Sequence, residues 1–140
     1  MENITPHTLL IRRHLLEADF ASIAKLWEEV RWGFRDQEDA VRRVLAASQW
    51  IAVAELDGQF AGYGRALSDG VITTYLAEVA VVPSLRRKGV GTALVSDCLE
   101  SCKLTAVYAD ASPEILPLLK HLGIVPRPRY LTACSKAPEV

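Results

Sequence analysis

The sequence has almost no excess of either charge. Its 16 lysines and arginines face 17 aspartates and glutamates, leaving a formal charge of -1 with the histidines neutral. Without a basic surplus the electrostatic basis for binding nucleic acid is missing, and attraction to an anionic membrane surface fails for the same reason. Long apolar runs are also missing. No stretch reaches the roughly 20 apolar residues that a spanning helix needs, and the longest uncharged one, residues 44–54, is broken by Ser48 and Gln49. Residue 2 is an acid and the first apolar run covers only residues 9–11, too short for a signal-peptide core, so a cytoplasmic protein is expected. Three cysteines make no disulfide framework in 140 residues. Cys98 and Cys102 sit four apart on an apolar stripe with no third ligand nearby in sequence, which reads as small core side chains and no metal site.

Several motifs are absent as well. There is no G-x-x-x-x-G-K-[ST], no G-x-G-x-x-G with its downstream acid and no G-x-S-x-G elbow, which excludes the familiar nucleotide folds and the serine hydrolases. No repeat, low-complexity tract or Gly/Ser linker divides the chain, so residues 1–140 are read as one domain.

What is present is half hydrophobic and 24% charged, an ordinary globular balance. A strand is expected at 8–13. A helix follows Asp19, with Phe20, Ile23, Ala24, Trp27 and Val30 at helical spacing and Gly33 as its stop, and a second begins near Asp36. Asp57-Gly58 and Asp69-Gly70 separate three β-rich runs and predict two hairpins. Pro83 ends the third run. A long helix over 89–101, a short strand over 105–109, a helix beginning at Pro117 and a last strand at 129–134 complete the order β-α-α-β-β-β-α-β-α-β. Such an order makes an α+β domain whose antiparallel hairpins lead into one parallel unit.

The sharpest local feature joins the third hairpin strand to the long helix. Arg86, Arg87 and Lys88 stand at a helix N-terminus, where the macrodipole favours anions by about 0.3–1 kcal/mol each and so disfavours these cations. A bound phosphate would relieve the conflict. Gly89 and Gly91 remove side chains where backbone must approach a ligand, leaving the N–H groups of residues 88–92 free to converge on it. A solvated loop with two turn-shaping glycines explains the same residues about as well.

This segment resembles the cofactor signature [QR]-x-x-G-x-[GA] of the GNAT N-acetyltransferase superfamily, here Arg86, Arg87, Lys88, Gly89, Val90, Gly91. Val79-Ala80-Val81-Val82-Pro83 looks like the family strand ending in V-x-P, and residues 109–124 resemble its last helix. The resemblance covers residues 50–124 and implies a mixed, mostly antiparallel sheet flanked by helices. It also implies acetyl-CoA in a V-shaped gap between the strands at 75–82 and 105–109. Val79 and Val81 would pair with the pantetheine arm, Arg86, Arg87, Lys88, Gly89, Val90, Gly91 and Thr92 would hold the pyrophosphate, and Ser112 would meet the pantetheine. An amine acceptor then attacks the thioester directly, and a backbone N–H steadies the oxyanion.

Glu78, the lone charge in residues 71–82, is the candidate base; the other reading has it facing solvent or paired with Arg65. Where the family carries a proton-donating tyrosine in the last helix, this chain has Leu119, which cannot donate. Tyr75, Tyr108 and Tyr130 are the alternatives, and a non-catalytic acyl-CoA-binding module is the rival function. Seven acids against three basic residues over 17–39 favour a cationic amine, with Trp27, Trp32 and Phe34 as candidate walls of its pocket. The sheet edge left by a short C-terminal tail points to a homodimer.

Overall fold

A computed structural model describes residues 7–30, 37–127 and 131–139. Strands β1 (Leu9–Arg12), β2 (Trp50–Leu56), β3 (Gln59–Ser68), β4 (Thr73–Val81) and β5 (Ala106–Tyr108) form one sheet in sequential order. The first four are antiparallel, and β5 runs parallel to β4 because a helix carries the chain back between them. That helix is α3 (Val90–Ser101); the others are α1 (Glu17–Glu29), α2 (Gln37–Ala46) and α4 (Leu116–His121). The order through α4 is the one the sequence predicts. The expected last strand differs: residues 131–134 are irregular backbone, and 129 and 130 lie outside the described residues.

The two Asp-Gly pairs make different turns. Asp57 (φ 52°) and Gly58 (φ 80°) both take the left-handed backbone that a two-residue hairpin between twisted strands requires. At the second pair the turn is wider. Asp69 Oδ1 accepts the N–H groups of Val71, Ile72 and Thr73 at 2.8, 2.8 and 3.0 Å, which holds this carboxyl below its usual range.

Helix α1 starts two residues before Asp19 rather than after it. Asp19 sits in the first turn, where it accepts the Leu16 N–H at 2.7 Å and receives both ends of the buried Arg12 guanidinium at 2.9 and 3.0 Å. Arg12 also reaches Glu55 at 2.9 Å, so one side chain ties β1, β2 and α1 together. A buried guanidinium needs these partners, because an unpaired charge there costs several kcal/mol.

Side chains alternate across β2 and divide the core in two. Trp50, Ala52, Ala54 and Leu56 pack under α3 and α4 with Leu94, Val95 and Leu119, while Ile51 and Val53 face α1 and α2 with Ile23, Trp27, Val41 and Tyr63. Cys98 and Cys102 lie in the first cluster as packed thiols, and burial beside Cys102 pushes Cys98 up to about 12.

In β4 the alternation is interrupted. Arg65 pairs with Glu78, but the next β3 residue, Ala66, pairs with Leu76, leaving Ala77 as an extra residue in β4. Such a bulge reverses the alternation. Leu76, Val79 and Val81 therefore face α3, whereas Ala80 faces α1 and α2, and Glu78 lies on that same side beside Arg65.

Candidate active site

Strands β4 and β5 are paired only where Thr73, Thr74 and Tyr75 meet Ala106, Val107 and Tyr108. Beyond that point they part, and the outer edge of β4 faces a cavity of about 860 Å³. Val82 donates its N–H to Ala61 O at 2.8 Å, on the β3 side. Peptide groups alternate along a strand, so the N–H groups of Val81 and Val79 turn the other way, toward the cavity. The edge is thus a row of backbone donors and acceptors able to pair with an extended amide-bearing ligand.

At the far end of this edge a 3-10 turn, Pro83–Leu85, leads into the basic loop. Arg87 (φ 62°) and Gly89 (φ 84°) both adopt left-handed backbone. That conformation is free for glycine and costs an arginine roughly 1–2 kcal/mol. The first intrahelical bond of α3 runs from Ala93 N to Gly89 O at 3.0 Å, so the N–H groups of Val90, Gly91 and Thr92 have no acceptor within the helix. Together they form a concave set of donors suited to an anion. A Cβ at Gly91 would stand 3.3 Å from Leu118 Cδ1 and 3.7 Å from Val81 Cγ2, so glycine here keeps the helix start close to α4 and β4.

Ten of the eleven cofactor and catalytic candidates line this one cavity: Glu78, Val79, Val81, Arg86, Arg87, Gly89, Val90, Gly91, Thr92 and Ser112. Lys88 does not. Its charge acts instead on Asp57 in the β2–β3 turn, a carboxyl held low mainly by the Thr8 N–H and by His7, with Lys88 adding to them. Arg86 Nε lies 3.4 Å from the Val81 carbonyl, at the junction of edge and loop. The cavity is also lined by Asp110 and Glu114, which sequence reasoning missed. Neither has a local pattern; only the folding back of the segment after β5 brings them to the gap.

Glu78 satisfies both readings at once. It lines the cavity, and its Oε1 accepts from Arg65 Nη2 at 3.0 Å. Burial pushes the carboxyl from an ordinary value near 4.5 up to about 7, with the nearby Trp27 indole drawing it slightly back. The Trp27 N–H is itself given to Tyr63 Oη at 2.8 Å, and Glu78 Oε2 is buried without a hydrogen-bond partner among the described residues. Arg65, also desolvated, is lowered from its usual value.

Leu119 is 2% exposed and belongs to the core, so no proton donor stands at that place. Of the three tyrosines, Tyr75 donates to Asp110 Oδ2 at 2.6 Å, which raises its hydroxyl further above its usual value. Tyr108 lies under the Arg127 guanidinium at 5.0 Å, and Tyr130 lies outside the described residues. The acidic surface is largely spent within the protein. Asp19 is buried on Arg12, Glu17 and Glu38 both hold Arg42, and Asp39 is 4.0 Å from Arg43. Trp27 is a core residue, and Trp32 and Phe34 lie outside the described residues.

The sheet thus opens beside a glycine-bearing helix start, with a carboxylate on the open strand. The model of the Acetyltransferase (GNAT) family matches residues 14–114, most of the chain, and the chain belongs to that acetyltransferase family. No curated protein matches the sequence significantly. Solved structures share the fold. A GNAT family acetyltransferase from Streptococcus pneumoniae superposes with a TM-score of 0.70 at 18% identity, covering 96% of this chain and 97% of that one. Glucosamine-6-phosphate N-acetyltransferase from Arabidopsis thaliana gives 0.72 at 18% identity over 94% and 99% of the two chains. An aminoglycoside N-acetyltransferase in complex with CoA gives 0.70 at 19% identity over 96% and 99%.

Proposed function

We propose that this protein is an acetyl-CoA-dependent N-acetyltransferase that acts on an amine of a small molecule or peptide by direct transfer. One observation carries the reading: the open edge of β4 leads without interruption into the left-handed loop and the free N–H groups at the start of α3, all on one cavity of about 860 Å³. An extended amide-bearing arm ending in a pyrophosphate fits that sequence of donors, so the residues present suit acetyl-CoA. When bound, acetyl-CoA supplies an activated acyl carbon.

The rest falls to this chain. Val79 and Val81 hold the arm through backbone N–H and C=O groups, as an added strand would. The N–H groups of residues 87–92, with Arg86 and Arg87, neutralise the phosphates. Ser112 lies across the gap, where its hydroxyl can meet the arm. Glu78 takes the proton from the acceptor amine, and a carboxyl titrating at about 7 is matched to that task near neutral pH. Because the bulge at Ala77 turns Glu78 toward the α1–α2 side, the acceptor enters from there, past Val30 at the end of α1. The solved relatives named for aminoglycoside and glucosamine 6-phosphate acceptors make amino sugars sensible first probes.

The test is a thermal-shift comparison of acetyl-CoA with ATP, followed by thiol release over polyamines, amino acids, aminoglycosides and glucosamine 6-phosphate. Stabilisation by acetyl-CoA at 100 Kd should reach about 2.7 kcal/mol; none would overturn the cofactor assignment. With an accepted amine, Glu78→Gln should turn over about 10²- to 10⁴-fold more slowly. Full activity in that variant at every pH would remove Glu78 from the mechanism.

A further inference from the structure

Arg65 has no place in the cofactor site, yet it is the one charged side chain hydrogen-bonded to Glu78 among the described residues. Both side chains are nearly buried, at 17% and 16% exposure, and the contact is 3.0 Å from Arg65 Nη2 to Glu78 Oε1. The pair sits directly beside the β4 bulge, where the two residues are register partners. Each also leaves one buried polar atom unsatisfied, Arg65 Nε and Glu78 Oε2. Arginine–carboxylate pairs are frequently two-pronged, and this one is not. A single-pronged one keeps an oxygen in reserve.

We propose that Arg65 is the positioning residue of this active site, gripping Oε1 of Glu78 so that Oε2 is the atom that receives the acceptor's proton and keeping the carboxylate ionised to do so. The inference rests on Glu78 being the base. In the step it serves, an N–H bond of the acceptor ammonium breaks, the proton passes to Oε2, and the electron pair remains on nitrogen as the lone pair that attacks the acyl carbon; the C–S bond of the thioester then breaks and CoA leaves with that electron pair as the thiolate.

The surroundings make such a partner necessary. Trp27 from α1 and Tyr63 from β3 contribute an indole and a hydroxyl bonded to each other, neither charged. Val30 and Ala80 add apolar surface. Tyr75 acts on Arg65 electrostatically, and its hydroxyl is held by Asp110. Burial alone favours the neutral acid, which cannot accept a proton. Among these groups Arg65 brings the only positive charge, and the Trp27 indole also draws Glu78 toward the ionised form.

The experiment is a carbon-13 titration of the glutamate carboxyls in the free protein, with Glu78→Gln identifying the Glu78 signal. In Arg65→Gln, which keeps a donor but no charge, the Glu78 midpoint should rise by at least one unit. Arg65→Lys, which keeps the charge on a differently shaped head, should fall between and serves where Arg65→Gln does not fold. For an amine turned over by the wild type, the same one-unit rise should lower the rate at pH 7 roughly fivefold and move the alkaline plateau up by one unit. A Glu78 midpoint equal to wild type in whichever variant folds overturns the proposal. A moved midpoint with Glu78→Gln fully active instead overturns the base assignment and, with it, the role given to Arg65.

Discussion

At the scale of single residues the site shows its function by breaking local rules. Arg87 stands at φ 62° with a full side chain, a conformation glycine would adopt freely. Strain of this kind persists where something outside the local backbone profits from it, and here the loop curls its N–H groups into the cavity. Replacing Arg87 by glycine should relieve the backbone and raise Tm by a few degrees, since about 1 kcal/mol corresponds to that shift at this size. The same variant loses a cation from the cavity wall, so its stabilisation by acetyl-CoA should shrink. Differential scanning fluorimetry with and without acetyl-CoA reads both effects, and an unchanged ligand shift would show that Arg87 does not meet the phosphates. The basic cluster itself was legible in the sequence. That Lys88 stands apart from the cavity its two neighbours line was not, because a loop's three neighbouring side chains diverge according to φ and ψ.

At the scale of elements the decisive pieces are the bulge in β4 and the β3 glycines that pair with the strand beyond it. Gly62 pairs with Val81, and a Cβ there would lie 2.4 Å from Ala80 O and 3.1 Å from Val81 Cα. Those are backbone atoms of the strand that borders the cavity, so they cannot swing aside as a flexible side chain would. Gly62→Ala should therefore cost about 1–3 kcal/mol as an overpacked contact. It should appear as a lower urea midpoint with an unchanged m-value, and as weaker acetyl-CoA binding from a displaced β4 edge. Stability within error of wild type would mean that the strands relax more easily than their register suggests. Helices, hairpins and the parallel crossover could be read from periodicity and Asp-Gly pairs because they follow from local spacing. The bulge could not. Continued alternation from Leu76 would send Glu78 into the α3 core, and only the pairing of Arg65 with Glu78 and of Ala66 with Leu76 shows the extra residue that prevents it.

For the whole molecule, the raised Glu78 carboxyl links the active site to stability. Its folded value, about 7, lies above the ordinary 4.5, so between those limits the folded state binds a proton that the unfolded chain has released. Stability from this group is fully present below about 4.5 and is lost as pH rises toward and through 7. Wild type should therefore lose on the order of 2–3 kcal/mol relative to Glu78→Gln between pH 5 and 8. Denaturant unfolding at the two pH values measures the difference of differences, and parallel curves would show that Glu78 titrates normally in the fold. The twin cores on either side of the sheet supply the stability that tolerates this buried carboxyl.

The sequence by itself determined the class of fold, the order of elements through α4, the two hairpins and the cationic glycine loop, all of which depend on residues close together along the chain. Tertiary structure decided how far β4 and β5 stay paired, which face Glu78 takes, that Arg65 holds it, and that Glu17, Asp19 and Glu38 are paired with arginines of this same chain. Each of those depends on register or on partners distant in sequence. One extra residue in one strand inverts which side chains meet, and no local pattern in the chain records it.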